Sequence, residues 1–189
     1  MTSDAVLISR SLAGDNDAFV EVVRRHAAAV SAYLVRRTDR AAAEDLLAEV
    51  WVAAFSARSS CDQALPDACP WLLGIARNVL RRYWRMQPGA QASSDLEELA
   101  APVDPWPAVD EWIDSAAVVR RTLACLPAAE REVLLLVVWE RLSVAEAARA
   151  LGIPAGTARR RLHQARLVLR RTPEIVALSS ECTAAREVN

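Results

Sequence analysis

Apolar residues recur at three- and four-residue steps along nearly the whole chain. Between residues 17 and 37, Phe19, Val22, Val23, His26, Val30, Tyr33 and Leu34 fall on one side of a helix, and that period predicts an amphipathic α-helix. His26 lies within this stripe, which makes it a core-edge residue rather than a ligand. Residues 40–57 repeat the pattern with Leu47, Val50, Trp51, Ala54 and Phe55 on the apolar side, while Glu44, Asp45 and Glu49 stand off it. Residues 59–69, SSCDQALPDAC, interrupt the period and read as a loop. A third helix follows in PWLLGIARNVLRRYWR. At about 100° per residue, Leu72, Ile75, Ala76, Val79 and Tyr83 gather on one face. Arg77, Arg81 and Arg85 stand opposite, with Asn78 beside them and Trp84 at the border. Pro70 suits the first turn, where its missing N–H loses nothing.

Residues 87–110 lose the helical period. Their four prolines and small polar residues predict an extended tether, with Trp106 between two prolines as a docking contact. Periodicity returns from residue 111 to about Cys125, and again in LPAAEREVLLLVVWERL. Ser143 followed by Glu146 predicts a capping box that opens a short helix. Gly152 marks its end, and Pro154 prevents continuation. A last helix from about Ala155 to Arg171 has its apolar stripe at Ala158, Leu162, Ala165 and Leu169. Arg160, His163, Gln164 and Arg171 lie opposite that stripe, and Arg159, Arg161 and Arg166 flank it. Residues 173–189 show weak periodicity and read as a tail. The pattern predicts an all-α protein in four parts. A helical domain spans residues 1–86, a linker 87–110, a second helical domain containing a helix-turn-helix 111–172, and a tail 173–189.

Charge sharpens this division. The net charge of −1 hides a segregation along the chain. Residues 71–85 hold four arginines and no acid, residues 86–119 seven acids and no base, and residues 120–171 eleven arginines against four glutamates. Like charges at i, i+4 repel and weaken a helix, so the Arg77–Arg81–Arg85 ladder calls for an anionic partner. Every one of the 23 basic residues is arginine, whose planar fork suits phosphate better than lysine does. In a helix-turn-helix the second helix enters the major groove. Flanking arginines then hold phosphates, while Arg160, His163 and Gln164 are placed to reach base edges.

Other chemistries find little support. Cys61, Cys69, Cys125 and Cys182 have no CxxC spacing, and His26 and His163 are the only histidines. The sequence contains no metal site, disulfide framework, phosphate loop or carboxylate cluster that would carry catalysis. No run of about 18 apolar residues is present to span a membrane. The first ten residues carry an acid and no long apolar segment, so a cytoplasmic location is expected.

Taken together, AFVEVVRRH, AEDLLAEVWVAAF and PWLLGIARNVLRRYWR in the first half resemble a bacterial RNA polymerase sigma factor of the extracytoplasmic-function group. So does LACLPAAEREVLLLVVWERLSVAEAARALGIPAGTARRRLHQARLVLRR in the second. The resemblance implies an all-α fold of two small domains joined by a flexible acidic linker, without catalysis, cofactor or metal. It implies a transcription initiation factor that binds core RNA polymerase and directs it to promoters. By this resemblance Glu44, Asp45, Leu47, Glu49 and Val50 dock on the clamp helices of the largest polymerase subunit. The 133–138 run serves in part the flap of the second-largest subunit. Arg77, Asn78, Arg81, Arg82, Trp84 and Arg85 meet the −10 element where duplex opens to single strand, and Asp62 or Gln63 lines the loop that captures an extruded base. Thr157, Arg159, Arg160, Arg161, His163, Gln164 and Arg166 read the −35 element as duplex. Where relatives often carry a smaller polar residue, this chain has Arg160. The resemblance also implies an anti-sigma protein as partner. Two other readings remain: a helix-turn-helix regulator that binds DNA without polymerase, and a helical interaction adaptor, which leaves the segregated arginines unexplained.

Overall fold

The computed structural model describes residues 2–62, 64–87 and 122–171. Gln63, the tether with Trp106, the helix expected over 111–121, and the tail with Cys182 lie outside the described residues. Seven α-helices are described: α1 (Asp4–Leu12), α2 (Asn16–Val35), α3 (Arg40–Ser56), α4 (Cys69–Met86), α5 (Ala128–Val138), α6 (Val144–Leu151) and α7 (Ala155–Arg171). No strand occurs among the described residues.

Local chemistry sets the helix starts. Ser3, Asp15 and Asp39 each turn a side-chain oxygen onto a backbone N–H three residues on, at Val6, Ala18 and Ala42, satisfying donors that the first helical turn leaves open. Gly14 supplies the left-handed backbone, φ 102°, between α1 and α2. Helix α4 has no side-chain cap and begins at Cys69 with Pro70 next. That is one residue before the proline that marks it in the sequence.

Helices α1 to α4 pack around one core, in which Val22, Val30, Leu34, Val50, Ala54, Leu72 and Ala76 are inaccessible to solvent. Burying an aliphatic side chain of this kind contributes about 2 kcal/mol. Phe19 and Phe55 meet edge-to-face across α2 and α3, ring centroids 5.2 Å apart. On α3 the buried position is Leu46, with Leu47 half-buried beside it. Helices α5, α6 and α7 build a smaller core from Leu126, Val133, Leu134, Ala148, Ala158, Leu162 and Ala165.

These two units touch. Helix α6 packs on α4, and Leu136, Leu142, Ala147 and Ala150 of the second unit join the apolar cluster of the first. Helix α4 is therefore buried on more than the one face its period predicts: Leu73 and Leu80 are buried as well as Leu72, Ala76 and Val79.

Candidate nucleic-acid interface

The arginines of α4 do not form one open ladder. Arg77 turns to the second unit, where its guanidinium meets both carboxylate oxygens of Glu132, with Nη2 3.1 Å from Oε2. Burial acts to lower the Arg77 pKa, but Glu132 outweighs it and holds the charge above its ordinary range. Arg81 is half-buried and shifted the other way, first by burial and then by the like charge of Arg77. Asn78, Arg82 and Arg85 are exposed. Arg82 makes an ion pair with Glu49 of α3, so a −10 candidate and a polymerase candidate hold each other on the surface. Trp84 and Tyr83 meet edge-to-face, centroids 5.1 Å apart. Both rings are half-buried against the first core, which leaves only part of Trp84 open to solvent.

The loop before α4 is held from a helix that the sequence pattern did not single out. Asp4 of α1 is 5% exposed. Its Oδ2 accepts from the Ala68 N–H at 3.0 Å and lies 2.6 Å from His26 Nε2, and its Oδ1 accepts from Arg25 at 3.0 Å. Burial alone would raise the Asp4 carboxyl; the Ala68 N–H, His26 and Arg25 together draw it below its ordinary value. His26, Asp67 and Cys69 also approach one another closely enough to suggest metal ligands. However, the His26 nitrogen that lies 4.0 Å from Asp67 is the one committed to Asp4, and the Asp67 carboxylate accepts from the Cys69 N–H at 2.7 Å. The cluster works as a hydrogen-bonded staple that fixes the start of α4. Burial pushes the Cys61 thiol up to about 11 and the Cys69 thiol to about 12, so neither is a ready nucleophile near neutral pH.

Along this loop runs a pocket of about 180 Å³ lined by Cys61, Asp62, Asp67, Trp71 and, from α6, Arg149. Asp62 is exposed beside it and turns an oxygen onto the Ala64 N–H at 3.0 Å. Trp71 donates from Nε1 to Ser60 Oγ at 3.2 Å, a packing role. Arg149 has no counterpart in the sequence reading, because only the contact of α6 with α4 brings it here.

The helix-turn-helix follows the sequence closely. Ser143 and Glu146 form both halves of the capping box, and the Ser143 hydrogen bonds hold the Glu146 carboxyl below its ordinary value. Gly152 takes the left-handed conformation at φ 65°, where any Cβ is disfavoured. Ala158, Leu162 and Ala165 point α7 into its core. As a result Arg159, Arg160, His163, Gln164 and Arg166 are exposed, while Thr157 and Arg161 are half-buried.

On α3, Glu44, Asp45 and Glu49 are exposed and Leu47 is half-buried. Val50 is a correction to the sequence reading: at 0% exposure it is a core residue and offers nothing to a partner. It lies on the same helical stripe as Ala43, Leu46 and Ala54, which all turn inward.

Two family models match this chain: Sigma-70 region 2 over residues 22–88 and Sigma-70 region 4 over residues 116–169. The ECF RNA polymerase sigma factor SigM of Mycobacterium tuberculosis is 32% identical over 176 residues, spanning 89% of this chain and 84% of SigM. RNA polymerase sigma factor CarQ of Myxococcus xanthus is 32% identical over 156 residues, 80% of this chain and 86% of CarQ. RNA polymerase sigma factor CnrH of Cupriavidus metallidurans is 27% identical over 180 residues, 88% of this chain and 92% of CnrH. The structure of CnrH in complex with the cytosolic domain of CnrY superposes with a TM-score of 0.62, covering 94% of this chain and 97% of that one at 24% identity. It shares the all-helical fold. Among the described residues, no helix is long and apolar enough to cross a membrane.

Proposed function

Because the chain belongs to the ECF sigma factors of RNA polymerase, we propose that it binds core polymerase, carries it to a class of promoters and takes part in opening them. The observation that carries this reading is the exposed face of α7. Arg159, Arg160, His163, Gln164 and Arg166 all point to solvent beyond a turn set by Gly152. Arginine pairs guanine and glutamine pairs adenine in the major groove, so Arg160, His163 and Gln164 read the −35 duplex. Arg159, Arg161 and Arg166 hold phosphates, and Thr157 supports the approach of the helix.

The first unit takes the −10 element. Arg77, Arg81, Arg82 and Arg85 neutralise phosphates, a salt-sensitive contribution, with Asn78 as a polar contact. The exposed part of Trp84 stacks an unpaired base, worth about 1–3 kcal/mol. The pocket beside Asp62 receives an extruded base, with Gln63 at the same loop. The acidic face of Glu44, Asp45 and Glu49, with Leu47 at its edge, suits the basic clamp helices of the largest polymerase subunit. The exposed Val138 end of α5 suits the flap of the second-largest. The protein performs no chemistry of its own and works in the cytoplasm. An inhibitory anti-sigma partner is inferred on the precedent of CnrH, which forms a complex with the cytosolic domain of CnrY.

The test combines the purified chain with core polymerase and a promoter library, followed by sequencing of the run-off transcripts. New start sites sharing upstream sequence are expected. Duplex binding with no new start site would overturn the reading in favour of a polymerase-independent regulator.

A further inference from the structure

Gly156 lies in the first turn of α7. Glycine in a helix is less favourable than alanine, because a freer backbone must be ordered and no side chain packs in return. The other described glycines have reasons inside the chain. Gly14 and Gly152 hold left-handed backbone, and a Cβ on Gly74 would stand 2.9 Å from the Ala150 carbonyl oxygen. Gly156 has helical backbone and is exposed, and no described atom lies within 4 Å of where its Cβ would stand. Neither conformation nor packing among the described residues requires glycine there.

Its position on the helix supplies a reason. At about 100° per residue, Gly156 falls on the exposed stripe of Arg160, His163 and Gln164, one turn nearer the helix start. From Ala155 to Ala158 no side chain is larger than threonine, and the long ones begin at Arg159. The reading face is therefore bare at its leading end. A helix with its side chains is about 10–12 Å across, and the major groove is about 12 Å wide. With so close a fit, a side chain on the inward face sets how deep the helix sits.

We propose that Gly156 is a specificity-determining residue of the −35 contact. Its bare Cα lets the first turn of α7 lie directly against base-pair edges, at the depth from which Arg160, His163 and Gln164 reach their bases. This deepens the reading of α7 as the −35 helix and rests on it. A methyl group at position 156 meets the DNA first and holds the helix out. The two-point contacts of arginine with guanine and glutamine with adenine require that depth. Phosphate contacts from Arg159 and Arg166 require it less, because charge acts over a longer range than a hydrogen bond. Sequence preference therefore depends on the glycine, while general affinity for DNA does not.

Gly156→Ala and Gly156→Leu separate a docking role from a structural one. Alanine and leucine both favour a helix more than glycine does, so the melting midpoint of each full-length variant should equal or exceed that of the wild type. Each chain is then loaded on core polymerase and titrated with two promoter duplexes. One carries the upstream sequence shared by the start sites mapped for the wild type, and the other carries the same bases scrambled. Docking at Gly156 requires the first duplex to be bound about tenfold more weakly by Gly156→Ala. Gly156→Leu should bind it more weakly still, with the scrambled duplex unchanged for both. Wild-type affinity for the first duplex in either variant overturns the inference, as does an equal loss on both duplexes. A lower melting midpoint also overturns it, because the glycine then serves the fold. If the wild type yields no shared upstream sequence, the −35 reading fails and takes this inference with it. A shared sequence bound equally by all three chains removes the role of Gly156 alone.

Discussion

Helices α4 and α7 are both arginine-rich and both amphipathic, yet the fold treats them differently. Helix α4 is enclosed: Leu72 and Ala76 enter the first core, Leu73 and Leu80 are buried too, and Arg77 is held by Glu132. Helix α7 is seated only through Ala158, Leu162 and Ala165, and Arg159, Arg160 and Arg166 carry no described acidic partner within 4 Å. Helix α4 thus has part of its charge compensated from inside the chain, while α7 leaves Arg159, Arg160 and Arg166 exposed. Two stretches of similar composition differ in exposure because of what lies against them.

The largest expected effect concerns the enclosed helix. Asp4→Ala removes the carboxylate that fixes Ala68, His26 and Arg25 at the start of α4. Taking one partner from a buried charged network of this kind costs about 3 kcal/mol, read by urea denaturation. Blunt-duplex binding through α7 should survive wherever the variant is folded; its loss would break the contrast between the helices. Acid provides a second measurement of the same site. Asp4 has its pKa drawn below the ordinary 3.8, so its contribution is fully present above that value and is lost as pH falls through the lower folded-state pKa. The stability gap between wild type and Asp4→Ala should therefore close in that window. A gap constant across it would show that the carboxylate charge is not what stabilises the loop.

Next in size is Arg160→Ala. Loss of a base-edge contact costs about 2 kcal/mol and relaxes preference at one base pair, measured by duplex titration against a randomised −35 site. Arg77→Ala should leave that titration unchanged, since Arg77 faces Glu132. Equal losses from both would dissolve the division between reading face and enclosed face. Smallest is Ser143→Ala. It removes the hydroxyl that accepts from Glu146 N–H at 3.3 Å and costs about 1 kcal/mol in the second unit, visible as a lower melting midpoint, with a smaller effect on duplex binding.

Sequence alone sets local structure wherever a short-range interaction decides it. The Ser143–Glu146 box, the Gly152 turn and the Ala158–Leu162–Ala165 stripe each rest on residues within one or two helical turns of one another. The same holds for the Asn16–Val35 and Arg40–Ser56 helices, whose Asp15 and Asp39 caps lie three residues from the N–H groups they satisfy. Periodicity discriminates poorly where a residue sits on the border of an apolar stripe. The pattern on α3 picks Leu47, yet Leu46 is the more deeply buried, and the resemblance assigns Val50 to a partner although Val50 lies in the core.

Periodicity reports one apolar face per helix, so it missed the second side of α4, where Leu73 and Leu80 turn inward. Ionic partners were further out of reach. Arg77 and Glu132 stand 55 positions apart, and Arg36 and Glu140 stand 104 apart. Asp4 acts on Ala68 across 64 positions. The order of helices, their caps and the placing of charge along the chain follow from neighbours that the backbone keeps in register. Which arginines are exposed, which acid neutralises which base, and how far the two units close on each other depend on distant segments meeting. Only the packed chain brings those segments within Coulombic and van der Waals range.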